Sequence, residues 1–320
     1  MIYKLILIAF LSIVNLYAQS NLRIGVLAYG TVNWELDVIK HHNLDKKNGF
    51  NLDIVNLASK NAQLVSLQAK DVNVIVNDWL WVNTQRSKGK NYSYYPYSKA
   101  TGTLVVNEKS NIKTLLDLKG KNLGIAGGVY DKTWLLFRAY GKSKYDIDLQ
   151  DIVIPMYAQA PILYKKMQDN SLEAAINFWH FNAKLEANNI KPLIEIKDIL
   201  KQFDIKDDVS FVGWTFDSDF ANENKDLINA FLKASSEAKD LLKNSNEEWN
   251  RIKDQMNVKN DVEFEALKSG YKKGIIEEFN ENSISDLEKI YKILLKEGGD
   301  KFVGDSVSLD NEIFWKFDSK

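Results

Sequence analysis

Residues 22–27 (LRIGVL) alternate apolar and polar positions with the period of two that marks a half-buried strand. The run breaks at Ala28-Tyr29-Gly30-Thr31-Val32-Asn33, and residues 34–43 then carry helical spacing at Trp34, Val38 and His41. Residues 50–56 predict a second strand and 62–69 a short helix. Residues 72–76 predict a third strand, which ends at Asn77-Asp78-Trp79. This β-α-β-α-β order is that of a parallel sheet. The tyrosine-rich stretch 92–97 reads as a loop that leads into another strand at 101–107.

The same order then recurs. Residues 122–126 predict a strand, Gly127-Gly128 a turn, and 132–140 a helix opening at Asp131. A strand at 152–156, a helix at 161–168 and a strand at 174–177 follow, the last running into Phe178-Trp179-His180. Residues 183–188 continue helical and 192–196 predict one more short strand. No sequence repeat links the two rounds, so their kinship rests on pattern alone. From Asp217 onward the chain turns helical, with apolar stripes at Leu227, Phe231, Ala234, Ala238 and Leu241, and at Phe264, Leu267 and Tyr271. A third helix spans 283–296, with Ser285 and Glu288 at capping-box spacing and Gly298-Gly299 as its stop. These helices read as packing elements, apolar on one face and without a part in function.

Lys4 followed by the apolar run 5–14 and by Ala18 describes an export signal with cleavage after Ala18. A membrane anchor is the alternative, but the run falls short of the ~20 apolar residues of a span. The chain contains no cysteine, so no lipobox, disulfide or thiolate metal site is expected. A soluble exported product in a bacterial periplasm follows. Roughly 300 remaining residues are long for one core and comfortable for two lobes. The formal charge of −1 and the lack of a dense basic cluster argue against a nucleic-acid partner.

Catalytic chemistry finds little support. His41 and His42 are adjacent and should face different ways on a helix, which would keep them from one metal. His180 is the one plausible general base, yet no G-x-S-x-G turn accompanies it. Neither a P-loop nor a dinucleotide fingerprint is present. No cofactor, no metal and no catalytic residue are expected.

The export signal, the strand-to-helix turn at 30–34, LLDLKGKNLGIAGG at 115–128, AAINFWHFNAKLEA at 174–187 and the helical last third together resemble a known family. The chain is similar to the solute-binding proteins of bacterial ABC importers, in the nitrate/sulfonate/taurine and thiamine-pyrimidine-precursor group. That resemblance implies an α/β fold of the two-lobed periplasmic binding protein type (type II-like), each lobe a mixed, mainly parallel sheet flanked by helices. The expected division is a signal peptide at 1–18, lobe 1 at 21–98 and 212–320, lobe 2 at 106–208, and hinge crossovers about 99–105 and 209–214. It also implies a monomer that binds a small organic solute between its lobes and delivers it to membrane permease subunits. The alternatives are an enzyme on the same scaffold, acting on a small heterocyclic or aromatic metabolite, and a sensor domain.

Open α/β sheets bind ligands beyond the carboxyl ends of their strands. That rule and the resemblance select Thr31, Asn33 and Trp34 after the first strand, and Asp78 and Trp79 after the third. They add Thr101 at the first crossover, Gly128, Tyr130, Asp131 and Trp134 in the second round, Asn177 and Trp179 later, and Trp214 on the return crossover. The glycines could instead serve only a positive-φ turn, Asp131 only a helix cap, and each tryptophan only the core. Asp78 should be paired, capping or facing a ligand. Aromatic faces with two carboxylates favour a neutral or cationic, planar organic ligand; a sulfonate held by backbone amides is the other option.

Overall fold

The computed structural model describes residues 20–206, 209–299, 302 and 306–317. The expected export signal lies outside the described residues.

Among the described residues ten strands form: β1 (Ser20–Leu27), β2 (Phe50–Leu57), β3 (Val74–Asn77), β4 (Tyr92–Ser98), β5 (Thr103–Asn107), β6 (Asn122–Ala126), β7 (Ile154–Ala158), β8 (Ala174–Asn177), β9 (Ile190–Ile194) and β10 (Val212–Asp217). They make two five-stranded sheets, ordered β2-β1-β3-β10-β4 and β7-β6-β8-β5-β9. In each, three parallel strands come first, then one antiparallel strand that arrives from the other half of the chain. The predicted repetition of order is thus real at the level of topology. The alternation read at 22–27 is also visible, since Leu22, Ile24 and Val26 are buried.

Residues 92–97 are a strand and not the expected loop. Their tyrosines are mostly buried, and β4 pairs antiparallel with β10 through six residue pairs from Val212↔Ser98 to Asp217↔Tyr92. Pro96 is tolerated because β4 is an edge strand, where a missing N–H costs no ladder bond. Pro155 and Pro192 likewise sit on the edge strands β7 and β9, and Pro161 opens a helix. All four prolines of the chain therefore stand where backbone donors are dispensable. The C-terminal segment lies along β4, with Trp315 N–H donating to Tyr94 O at 2.8 Å, which covers that edge.

Three readings of the helical part change. The stripe on the helix Lys225–Asn244 is carried by Ile228, Phe231, Ala234, Ala238 and Leu242, with Leu227 and Leu241 only half-buried. The last long helix begins at Glu281, capped by a box between Asn280 and Ser283 rather than Ser285 and Glu288. Nor are the inner faces wholly apolar. Glu35, fully buried, accepts from Ser235 Oγ at 2.5 Å, Lys239 Nζ at 2.6 Å and Tyr271 OH at 3.0 Å. Lys239 Nζ also sits 3.9 Å from the centroid of the Tyr97 ring. Burial pulls the Lys239 ammonium below its ordinary range, and Glu35 opposes that pull.

The helix Glu281–Gly298 ties the halves together. Leu287, Ile290, Tyr291 and Leu294 share one apolar cluster with Trp79 and Tyr94 of the first half and Leu135 and Leu136 of the second. Arg138 holds Asp148 at 2.7 Å and approaches Glu297 to 3.9 Å, while Lys142 reaches Glu297 at 2.7 Å.

Removing one member of a buried ion pair strands the other. Lys239→Met should therefore cost about 3–5 kcal/mol in urea unfolding. Adding Glu35→Leu should recover much of that loss; equal stability of the single and double variants would contradict the pairing.

Candidate functional site

The topology itself brings two strand edges together. β4 runs parallel to β3, so it ends with β1, β2 and β3 at one carboxyl edge. β5 is antiparallel to β8, so it starts at the carboxyl edge of the second sheet, with Thr103 opposite Asn177. Four residues, from Lys99 to Gly102, join these two edges. The return path makes the same connection, since β9 ends and β10 begins at carboxyl edges, with Gly213 opposite Asn77. The loops after β1, β3, β6 and β8 therefore confront one another across a seam, where open sheets bind ligands.

Asp78 stands in that seam. It caps the helix Trp79–Ser87 by accepting from Trp81 N–H at 2.9 Å. Its other oxygen meets Lys60 Nζ at 2.7 Å and Lys132 Nζ at 3.1 Å. Lys60 opens the helix Lys60–Gln68 of the first half; Lys132 opens the helix Lys132–Tyr145 of the second. Burial would raise the Asp78 carboxyl, but Lys132 and Lys60 together hold it well below the usual carboxylate range. Asp131 caps the second of those helices through Trp134 N–H at 3.1 Å, and burial pushes its carboxyl up. Sequence reasoning found both acids and missed both lysines, which carry no local signal beyond their place at helix starts.

The expected site residues divide by what they do here. Asn33 ties its own loop, donating to Leu27 O and Gly30 O at 2.8 Å each. Thr31 is the N-cap residue of the helix Val32–His41 without a side-chain cap bond. Asn177 donates to Ala160 O and accepts from Phe178 N–H, which fixes the turn after β8. Thr101 and Thr133 pair their hydroxyls at 3.3 Å. Gly127 and Gly128 have φ of 89° and 94°, the region that favours glycine, and a side chain at 127 would strike Asp131.

The tryptophans are not cleft walls as a set. Trp79, Trp134 and Trp214 are 0% exposed. Trp214 packs against Phe231 and Tyr97 in the core of the first half and donates to Ser235 Oγ at 3.2 Å. Trp34 is buried and meets the half-buried Trp179 edge-on at 6.3 Å. Trp179 in turn packs so closely on Gly270 that a Cβ there would come within 2.8 Å of the ring. The helix Asp261–Lys273, expected to be uninvolved, therefore borders the seam.

Other groups emerge at the same edges. Tyr29, Tyr130 and Phe178, 52%, 39% and 40% exposed, follow β1, β6 and β8. Asn77 is 2% exposed, yet neither its Oδ1 nor its Nδ2 has a hydrogen-bond partner within the protein. The indole N–H groups of Trp79 and Trp134, and Nε2 of His180, also have none. Buried polar groups are nearly always satisfied; these residues stand at or after the carboxyl ends of β3, β6 and β8, where they can form hydrogen bonds with groups from outside the protein.

Burial, aided by Lys184, lowers His180 to about 4. An imidazole so depressed is neutral and a poor base near neutrality. Between pH 6.5 and about 4 the unfolded chain holds the extra proton, so this residue makes stability fall as pH drops through that window. His180→Gln should flatten the drop, seen as the wild-type minus variant difference in thermal midpoint against pH. A constant difference would refute the neutral ring.

With this geometry in place, comparison with known proteins is direct. A family model described as NMT1/THI5 like matches residues 46–248. Among solved structures, the periplasmic aliphatic sulphonate binding protein SsuA from Escherichia coli superposes with a TM-score of 0.70 at 20% identity, covering 90% of this chain and 95% of that one. The alkanesulfonate-binding protein SsuA from Xanthomonas axonopodis pv. citri, bound to MOPS, gives 0.67 at 16% identity over 92% and 98%. The desulfurization enzyme DSZB gives 0.57 at 12% identity over 88% and 93%. These likenesses establish a shared two-sheet fold, on which binding proteins and an enzyme both occur. The match over most of the chain settles the family: this protein belongs to the NMT1/THI5-like family.

Proposed function

We propose that the chain is an extracytoplasmic solute-binding protein that captures a small organic molecule between its two halves and hands it to an ABC importer. The observation that carries this reading is the pair of opposed carboxyl edges, which bear exposed Tyr29, Tyr130 and Phe178 and the unpartnered Asn77. Aromatic faces supply stacking area, and Asn77 offers a donor and an acceptor in a desolvated place. The halves act as lobes that hinge at 99–105 and 209–214. Solute closure by such lobes is a hinge motion. The protein works as a monomer in the periplasm, without a cofactor, and its macromolecular partners are the permease subunits.

The polarity expected from two free carboxylates shifts. Lys60 and Lys132 offset Asp78 and Asp131, so these four groups contribute no net charge when ionised. A solute of low net charge with a flat or apolar body fits best. The sulfonates named for the two SsuA relatives are the anionic alternative, with Lys60 and Lys132 as cations at the seam. An enzyme on this scaffold would rest on His180, whose neutral ring and unpartnered Nε2 suit hydrogen bonding better than proton abstraction.

A thermal-shift and fluorescence screen across sulfonates, pyrimidines, amines and aromatic acids tests the proposal. A true solute raises the melting temperature by mass action and is recovered unchanged; its chemical turnover would reject the binding-protein reading. Tyr130→Ala and Phe178→Ala, both at exposed positions, should each weaken binding roughly 2- to 10-fold while leaving stability intact. Unaltered affinity in both would remove the aromatic rim from the site.

A further inference from the structure

We propose that His41, His42 and Glu248 form a binding site for a divalent transition-metal ion of the zinc class, on the face of the first half remote from the seam. The helix Val32–His41 starts at the carboxyl edge and runs ten residues away from it, which places its end about 15 Å off at 1.5 Å per residue. Sequence reasoning expected the two histidines to diverge on a helix. The helix instead ends at His41, and His42 is its C-cap with φ −89° and ψ 6°. The two rings then meet edge-on with centroids 4.8 Å apart. One donor atom from each of His41, His42 and Glu248 lies within 4.8 Å of the others.

Glu248 is brought there by the helix Asn246–Ile252, whose N-terminus Ser245 caps. It is 7% exposed, and its Oε1 lies 2.9 Å from His42 Nε2. Its other oxygen accepts from Arg251 Nε at 3.0 Å, and Arg251 is itself held by Asp37 at 2.5 Å. The carboxylate is therefore oriented from behind by a second layer of charges, as ligands of metal sites commonly are. Two imidazoles and a carboxylate suit zinc, nickel or copper over magnesium or calcium. Donors around such an ion stand roughly 3–3.5 Å apart, so modest side-chain rotation closes the set, leaving the fourth tetrahedral position to water. A groove of about 670 Å³ lined by His42, Asp240, Asn244 and Ser245 adjoins it and gives that water room.

A plain His42–Glu248 ion pair would explain two of the three residues. It gives no role to His41, which is exposed and makes no ion pair of its own. The proposal does not rest on the solute-binding reading, and the ion would fasten the end of one helix to the start of another.

The test uses the untagged full chain, stripped with EDTA and titrated with zinc chloride by calorimetry and thermal shift, with magnesium and calcium chlorides alongside. One equivalent of zinc should bind and raise the melting temperature, and magnesium and calcium should do neither. His41→Ala, at an exposed position that no ion pair needs, should weaken zinc binding about tenfold or more, as should Glu248→Gln. Cobalt(II) should show the intense visible bands of a four-coordinate ion in the wild type and lose them in His41→Ala. Wild-type zinc affinity in His41→Ala, or uptake that never saturates at one equivalent, would overturn the site.

Discussion

One buried carboxylate governs how the two halves meet. Asp78 cannot keep its charge away from water without partners, and the partners come from three places: the Trp81 backbone N–H of its own helix, Lys60 of the same half and Lys132 of the other. Satisfying Asp78 therefore requires the helix that opens at Lys132 to stay close. The cost of stranding the charge works against separation of the edges at this point. On the proposed reading, a solute entering the seam must either leave this cluster intact or replace one of its bonds with an equal one.

The crossovers impose the complementary constraint. Each delivers an antiparallel strand into the other sheet, and each carries a glycine where the chain squeezes past a neighbour. A side chain at Gly102 would collide with the Asn177 carbonyl, and one at Gly213 with the Tyr94 ring and the Tyr95 carbonyl. Close backbone approach is what glycine permits. The seam is thus narrow at its base, where covalent links and tight packing coincide, and the rim aromatics lie on the loops beyond.

How much of this was legible depended on whether the deciding contact was local. Strands such as β1 and β6 announce themselves by alternation or by a short apolar run between turns, and Asp78 and Asp131 were readable as caps because a cap needs only its own helix. The tyrosine-rich strand β4 was not, because Pro96 imitates a turn and the sheet partner β10 lies more than a hundred residues away. Glu35 and Lys239 carry no local signal, since their pairing spans 204 residues. Lys60 and Lys132 were missed because their pairing with Asp78 crosses from one element to another. Long-range charge pairing leaves no periodic trace, so a polarity argument made from acids alone was bound to overstate the negative charge of the site.

The tryptophans show the difference between placing a residue at a site and giving it a role there. All five lie near strand ends, as the spacing predicted, but burial divides them. Trp34 packs edge-on or tilted against Trp179, Trp249 and Tyr271, and Trp79 packs on Tyr291, so these indoles belong to the packing behind the loops. A large rigid ring with no exposed face gives a solute little to touch, yet its removal would cost about 3–5 kcal/mol of stability. Tyr29, Tyr130 and Phe178 have the opposite balance: they are exposed, although Tyr130 stacks on Phe302, and they lie outside the buried core. On the proposed reading, recognition falls to the phenyl and phenol rings on the loops. The indoles belong to the packed interior behind those loops.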